Sequence, residues 1–286
     1  MLWGILSIME ISIFEIRKKP VTILAVLFFV ALSVWWTTIF YRGLTEGIEN
    51  NAFTLIYPLL SLFGGIMGLV LARRWGGFKS FLGSSISLFG LGLLAQFFGQ
   101  ASYAYYIYIS GIQVPYPSIG DLGYFGSVVL YIFAVLELFK VIHVKVTLQS
   151  FSNKLQAILI PLAMLCFSFI FFLRGYVFDW QQPLKIFLDF GYPLGEATYV
   201  SLAILVLLLS RNFLGGTMRK PILFLVFVLI AQYISDFTFL YQASKSTWYV
   251  GGINDYMYLV SYFLMTISLL YIGTVLDQIR SRPRSE

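Results

Sequence analysis

Eight apolar stretches of about 20 residues follow one another along this chain of 286 residues, and no other feature constrains its fold as strongly. An α-helix needs about 20 apolar residues to cross the hydrocarbon core of a bilayer. Charged residues make up only 11% of the chain, against about 25% in soluble domains, so lipid is the predicted surrounding of these stretches. We therefore predict an all-α, polytopic membrane bundle with spans at 20–41, 52–72, 80–108, 121–142, 155–174, 187–210, 221–243 and 252–276.

Lysine and arginine are distributed unevenly between the two sides of these spans. If the N-terminus is cytoplasmic, 15 of the 19 basic residues lie in cytoplasmic segments, and only Arg42, Arg174, Lys185 and Lys245 lie outside. Cytoplasmic loops of membrane proteins carry such an excess of positive charge. The pattern predicts an even number of spans in the cell (inner) membrane, with both termini in the cytoplasm.

The two ends of the chain are predicted to lie outside the bundle. Residues 1–19 contain an apolar stretch that is interrupted by Glu10 and that precedes its basic cluster. A secretory signal has the opposite order, and a span would be longer, so we expect this segment to lie in the membrane interface. Residues 278–286 form a basic tail, which we expect in the cytoplasm as a candidate binding site for a partner protein.

The sequence also contains an internal repeat. Four tyrosines near the outer starts of the even-numbered spans recur at nearly equal intervals: Tyr57, Tyr124, Tyr192 and Tyr258. The segment LAQFFGQASYAY at 94–105 further aligns with IAQYISDFTFLY at 230–241. Each half would hold four spans, so both would run in the same direction, as in a parallel repeat about an axis along the membrane normal. We predict two four-helix halves, residues 20–145 and 146–277.

Ten polar residues in or near the spans are candidate ligand-binding residues. An ionisable side chain at the centre of a spanning helix costs about 2.5–3.5 kcal/mol or more, so its presence there suggests a function. Acids beside tyrosines would give a cavity open to the outside, with aromatic walls, suited to a cationic or polyhydroxylated small molecule. The candidates are Gln100, Asp121, Tyr124, Asp189, Tyr192, Glu196, Gln232, Asp236, Asp255 and Tyr258.

These residues also have a purely structural interpretation. Asp121 and Asp255 begin their spans, where a carboxylate caps free backbone N–H groups. Asp189, Glu196 and Asp236 have no lysine or arginine at a comparable depth. They must bond to tyrosine, serine, threonine or glutamine, hold a proton, face water, or bind a cation. Tyrosines alone are typical of an interfacial belt, so the sequence leaves both interpretations open.

Several kinds of chemistry lack their usual residues. The chain has one cysteine, Cys166, and one histidine, His143, so a disulfide, a zinc or haem site and histidine-based catalysis are not expected. No lysine lies in the last span for a retinal Schiff base, and no basic and aromatic groove suggests nucleic acid. We predict no cofactor, no enzymatic activity, and lipid as the main partner. Glu137 is expected to pair with Lys140.

Three further motifs occupy the region of roughly residues 90–275: PYPSIGDLGYF, LDFGYPLGEATYVSLAILVLLL and ISDFTFLYQASKSTWYVGGINDYMYLVSYFL. Together they resemble the multipass membrane-sensor domains that precede PAS and diguanylate cyclase (GGDEF) domains in bacteria. The resemblance implies signal input, in which a bundle senses a stimulus and passes movement down its last helix. Only DQIRSRPRSE follows Leu276, so output would act through a separate protein.

The sequence therefore leaves several functions open. The first is a stand-alone, non-enzymatic sensor or scaffold module. The alternative is a small parallel-repeat transporter or ion-coupled carrier that uses its intramembrane acids, and discontinuous helices at Pro58 and Pro193 would favour it. A membrane-embedded enzyme would require polar groups that converge on one cavity.

Overall fold

The computed structural model describes residues 19–141, 150–209 and 219–281, and this part of the chain holds eight helices long and apolar enough to cross a membrane. A helix satisfies its backbone hydrogen bonds internally, as lipid requires. No strand occurs within the described ranges, so the predicted all-α polytopic bundle is confirmed. The helices are α1 (Pro20–Tyr41), α2 (Ile48–Arg74), α3 (Phe81–Ile109), α4 (Gly120–Val141), α5 (Phe151–Leu173), α6 (Pro183–Leu209), α7 (Arg219–Ser244) and α8 (Ile253–Ser281).

Some helices begin several residues away from the predicted bounds of their apolar stretches, and one is interrupted by a proline. Both α2 and α6 begin four residues before the predicted starts of their spans, because polar loop residues continue the helix past the apolar stretch. Within α2, the segments Ile48–Ile56 and Leu59–Arg74 are separated by a turn at Pro58, which lacks a backbone N–H. Pro193 lies inside α6 without breaking it. The discontinuity that would favour a carrier is therefore present in α2 and absent from α6.

Six of the helices form a closed ring, and two lie outside it. Going round the ring, α2 packs on α3, α3 on α4, α4 on α6, α6 on α7, α7 on α8, and α8 returns to α2. Outside the ring, α1 packs mainly on α8, and α5 packs mainly on α6. The most apolar stretch of α8 is 78% buried in the protein, against 22% for α1 and 6% for α5. The last helix is thus a central element, while α1 and α5 present most of their surface to lipid.

Glycines allow the closest helix contacts in the ring. A Cβ atom at Gly123 of α4 would lie 2.4 Å from the backbone oxygen of Ala95 and 2.6 Å from the backbone nitrogen of Gly99, both on α3. A Cβ at Gly65 of α2 would similarly lie 2.8 Å from the backbone oxygen of Gly90. Small residues let helix backbones approach in lipid, where packing replaces the hydrophobic effect.

Charged residues at one end of the bundle join the start of α1 to the end of α8. The Nζ atom of Lys19 lies 2.5 Å from a carboxylate oxygen of Asp277, and Arg74 at the end of α2 donates to the other oxygen. We call these three residues the terminal clamp. The hydrogen bond from Lys19, followed by that from Arg74, lowers the pKa of Asp277. The two ends of the bundle helices therefore lie on the same side, as an even number of spans requires.

Other sequence predictions fall at the edges of the described ranges. The expected ion pair of Glu137 and Lys140 is present, with 2.5 Å between nitrogen and oxygen. The predicted interfacial segment 1–19 lies outside the described residues except for Lys19, and so does the boundary between halves at 145/146. Of the predicted tail 278–286, residues 282–286 lie outside them, while α8 continues to Ser281.

Candidate functional site

A deep polar cluster lies where α6, α7 and α8 meet, with Asp236 at its centre. The Tyr199 hydroxyl of α6 donates to one oxygen of Asp236 at 2.6 Å, and the Gln232 amide of α7 donates to the other at 2.9 Å. The Ser261 hydroxyl of α8 donates to the Gln232 side-chain oxygen at 2.5 Å. Gln232 and Asp236 can meet because residues four apart share a helix face. As expected from the sequence, Asp236 is held by tyrosine and glutamine.

Glu196 lies next to this cluster but is bonded differently. Its side chain is only 4% exposed, and the nearest charged group is Asp236, with which it interacts electrostatically. No described residue donates a hydrogen bond to its carboxyl group. Tyr258 of α8 lies within electrostatic range of both acids. Two of the candidate acids, Glu196 and Asp236, therefore interact electrostatically in the fold.

A second cluster surrounds Asp255 at the start of α8. Its carboxylate accepts hydrogen bonds from the Gly251 backbone N–H at 2.7 Å, from Thr54 at 3.1 Å and from Tyr57 at 3.4 Å. Gln100 of α3 donates to the Tyr57 hydroxyl at 2.9 Å. Asp255 thus caps its own helix, as the structural interpretation expects, and also ties α8 to α2, while its role in ligand binding stays a prediction.

Asp121 at the start of α4 has a similar arrangement. It accepts a hydrogen bond from the Tyr192 hydroxyl of α6 at 2.7 Å and from the Ser118 backbone N–H at 2.7 Å. The Ser118 hydroxyl in turn accepts a hydrogen bond from the Gly120 N–H at 3.2 Å, which makes a capping box of the two side chains. Asp121 therefore stabilises the start of its helix and joins α4 to α6.

Asp189 is held by the loops rather than by the deep acids. The Tyr116 hydroxyl donates to one of its oxygens at 2.7 Å, and the Tyr176 hydroxyl donates to the other at 2.6 Å. The hydrogen bond to Asp189 raises the pKa of Tyr176 to about 12. Burial, followed by the hydrogen bond to Asp189, raises the pKa of Tyr116. Although Asp189 and Glu196 are spaced to share a helix face, they join separate clusters.

A further polar cluster lies inside the ring and joins α3, α4 and α8. The Gln96 side chain of α3 accepts a hydrogen bond from the Tyr262 hydroxyl of α8 at 3.1 Å and donates to Ser127 of α4 at 2.7 Å. The Tyr262 ring stacks on Tyr57 and on Tyr258, with centroids 6.1 and 5.9 Å apart. These contacts give the interior of the ring a continuous column of polar and aromatic side chains.

Sequence reasoning missed several members of these clusters. Tyr199, Tyr262, Gln96 and Ser261 carry deep hydrogen bonds but were not among the candidates. Their spacing was the available signal: Tyr199 follows Glu196 by three residues, and Tyr262 follows Tyr258 by four, so each pair shares a helix face. Of the candidates, Tyr124 packs its ring against Gly99, where a Cβ atom would lie 2.6 Å away.

The deep acids are enclosed by side chains. Exposed fractions are 3% for Asp255, 4% for Glu196 and 6% for Asp236. Two grooves of about 320 and 490 Å³ lie beside Leu194 on the outer faces of α5 and α6, and they are lined by apolar side chains and glycine. No group of three or more metal-ligating side chains occurs in the described part of the chain. The cavity predicted to open outward stays a prediction.

Comparison with known proteins gives no further guide to function. The chain matches no protein-family model, no curated protein and no solved structure. The resemblance to bacterial sensor domains therefore stays a prediction, and the function is argued from the geometry of the polar clusters.

Proposed function

We propose that the protein is a non-enzymatic signal-input module of a bacterial inner membrane, with both termini in the cytoplasm. The observation that carries the proposal is the position of α8, which has the most buried apolar stretch of the eight described helices and contributes side chains to the clusters around Asp236, Asp255 and Gln96. A stimulus that rearranges those clusters would shift α8, and the helix would carry the shift to the cytoplasmic side.

The contacts of α8 support a mechanical role. Near its start, α8 contributes Asp255, Ser261 and Tyr262 to three clusters that involve α2, α7 and α3. Near its other end, Asp277 belongs to the terminal clamp. Helices that move at interfaces shift by about 1–2 Å, enough to break hydrogen bonds of this kind. Release of the clamp would then free the end of α8 to act on a separate output protein.

Reciprocal contacts support the proposed parallel repeat. Tyr57 of α2 donates to Asp255 of the neighbouring helix α8, and Tyr192 of α6 donates to Asp121 of the neighbouring helix α4. In the alignment of the two halves, Tyr192 is the equivalent of Tyr57, and Asp255 is the equivalent of Asp121. Each half thus supplies the tyrosine to one contact and the acid to the other. A twofold axis along the membrane normal produces this exchange.

A second equivalent pair of contacts lies inside each half. Gln96 bonds to Ser127, and their equivalents in the second half, Gln232 and Ser261, bond to each other. The ring order also supports the repeat, since α2 packs on α8 and α6 on α4. The repeat, like the orientation, is part of the proposal.

Orientation is tested by labelling in intact cells. Single cysteines would replace Ser7 and Ser285 in a Cys166→Ser background, and a membrane-impermeant maleimide would be added from outside. We expect neither cysteine to react until the cells are opened, because the basic loops favour a cytoplasmic location for both ends. Reaction of either cysteine in intact cells would overturn the proposed topology.

Signal transmission is tested by measuring distances between spin labels. Labels at Lys79, after α2, and at Ser281, at the end of α8, would report movement at the terminal clamp in lipid nanodiscs. We expect Asp236→Asn to change the distance distribution, because it removes the charge to which Tyr199 and Gln232 donate. Glu49→Gln, at the opposite end of the bundle, is the matched control. Identical distributions in all three proteins would contradict the proposal.

A carrier is the second candidate function, and the two adjacent deep acids favour it. Ion-coupled carriers place acids at the interface between repeats, where Glu196 and Asp236 face α8 and α4. The turn at Pro58 in α2 is a further point in its favour. Purified protein in vesicles with a pH gradient would then show proton flux that Asp236→Asn abolishes and Glu137→Gln leaves unchanged.

A further inference from the structure

Glu196 and Asp236 differ in hydrogen bonding although both lie beside Tyr199, which follows Glu196 by about one turn of α6 and donates to Asp236. Asp236 accepts hydrogen bonds at both oxygens, whereas no residue in the described ranges donates one to Glu196. Donors stabilise an ionised carboxylate, and burial without donors favours the neutral acid. The geometry therefore favours a carboxylate at Asp236 and a protonated carboxyl group at Glu196.

The groups around the pair are uncharged. Facing tyrosines come from α4, α6, α7 and α8: Tyr131, Tyr199, Tyr233, Tyr258 and Tyr262. From α5, Ser168 lies beside Tyr233. Within the described residues, no lysine, arginine or histidine acts on either acid. A second negative charge would have no cation to offset it, so one proton for the two carboxyl groups is the favoured loading.

The Tyr131 hydroxyl gives an independent indication of a ligand at this place. Its residue is 1% exposed, and the hydroxyl has no hydrogen-bond partner within the described part of the chain. It lies within electrostatic range of Asp236, and its ring meets that of Tyr199 edge-on, with centroids 6.0 Å apart. A buried hydroxyl without a partner destabilises the folded protein. Loss of a proton from the acids would create a further acceptor for it.

Under the proposed repeat, the first half has neutral residues at the equivalent positions. In the alignment of the halves, Ser61 takes the place of Glu196, and Gln100 takes the place of Asp236. Ser61 donates to a backbone oxygen of its own helix at 2.7 Å, and Gln100 donates to Tyr57. The helices of the first half pack well without acids at these positions, so packing alone does not explain the pair in the second half.

We propose that Glu196 and Asp236 form a proton-binding site in which the two carboxyl groups share one dissociable proton. Loading takes a proton from water and forms one O–H bond on Glu196; unloading breaks that bond and leaves two adjacent carboxylates. Their repulsion acts between α6 and α7 and so changes the cluster that Ser261 of α8 joins. The site is a proton-binding site whether the output is a signal or transport.

Infrared spectroscopy of the purified protein in lipid nanodiscs tests this proposal. A protonated carboxylic acid has a carbonyl band that a carboxylate lacks. We expect such a band at neutral pH, with one proton per chain released as the pH rises. It should be absent from Glu196→Gln and unchanged in Glu137→Gln, which removes an ion-paired glutamate from the same protein. In Tyr131→Phe the band should persist to higher pH, because the hydroxyl no longer stabilises the unloaded state.

Isotope labelling makes the test independent of whether a variant folds. In wild-type protein, carboxyl-¹³C glutamate should move the band, and carboxyl-¹³C aspartate should not. A wild-type spectrum without the band would overturn the proposal, as would a band that moves only with labelled aspartate. Loss of the band on addition of sodium chloride but not potassium chloride at constant pH would instead identify a sodium site and would also overturn it.

Discussion

The two halves of the ring are held together in different ways. In the first half, α3 and α4 meet through backbone contacts at Gly123 and Gly99. In the second half, α7 and α8 meet through polar side chains, since Asn254 donates to the Ser235 backbone oxygen at 2.8 Å and Ser261 donates to Gln232. The α3–α4 pair thus adds close backbone packing to its hydrogen bond from Gln96 to Ser127, whereas the α7–α8 pair meets through side-chain hydrogen bonds.

The difference shows between which helices a membrane protein can hold polar or ionisable side chains. Where two helix backbones touch, as they do at Gly123, no side chain fits between them, whereas helices that meet through side chains admit polar groups whose hydrogen bonds must then be satisfied. The buried acids Glu196 and Asp236 belong to the second half, and their first-half counterparts under the proposed repeat are neutral. We therefore expect the first half to keep its structure while the hydrogen bonds around Glu196 and Asp236 in the second half rearrange.

The largest effect is expected where the first half is packed most tightly. Gly123→Ala would place a methyl group against backbone atoms of α3, and we expect a loss of about 3 kcal/mol in the free energy of unfolding. Gly126→Ala, three residues later, has no atom within 4 Å of its new Cβ and should cost nothing. Unfolding in a titration with sodium dodecyl sulfate measures both. Equal effects would break the contrast between the halves.

The next largest effect concerns the acids of the second half. Tyr199→Phe removes a donor from a buried carboxylate and should destabilise the protein by about 1.5 kcal/mol. Tyr131→Phe removes a hydroxyl that has no partner among the described residues and should leave stability at neutral pH unchanged or slightly raised. The same titration distinguishes them, and a larger loss for Tyr131→Phe would contradict the arrangement around Asp236.

Gln96 and Gln232, which are equivalent under the proposed repeat, allow a direct comparison of the two halves. Gln96→Leu removes neutral hydrogen bonds to Ser127 and Tyr262, whereas Gln232→Leu also removes a donor from the Asp236 carboxylate. Because bonds to charged groups contribute more, we expect Gln232→Leu to cost about 1 kcal/mol more than Gln96→Leu. Thermal unfolding in nanodiscs ranks the two variants by their loss of stability. A larger loss for Gln96→Leu would contradict the stronger electrostatic role expected of the second half.

The smallest effect is expected at the terminal clamp, which both halves share. Asp277 is partly exposed, so Asp277→Asn should cost less than about 1 kcal/mol, and salt should reduce that cost. Since the folded pKa of Asp277 is lowered, its contribution is present above the unfolded value of about 3.9 and is lost as the pH falls through the folded value. Unfolding measured from neutral to acidic pH checks this, with Glu49→Gln as control. A clamp that weakens as the pH rises towards neutral would contradict it.

The number and the approximate bounds of the spans could be predicted from sequence because the lipid sets a length and excludes charge. Eight apolar stretches became eight helices, and only ends such as Ile48 and Pro183 moved, by one turn. Hydrogen-bond partners were harder to predict. The acids required polar neighbours, but Tyr199, Tyr262 and Gln96 were not selected, because their roles depend on which helices are adjacent in the ring.

The sequence by itself determined that the chain is an all-α polytopic bundle, that its acids lie within apolar helices, and that those acids require polar partners. Hydropathy and helix periodicity are local properties, and one sequence is enough to read them. Only the tertiary structure decided that Glu196 interacts with Asp236 while Asp189 joins a separate cluster, and that α8 has the most buried apolar stretch of the described helices. Spacing along a helix fixes a face, but the packing of helices against one another fixes what that face contacts.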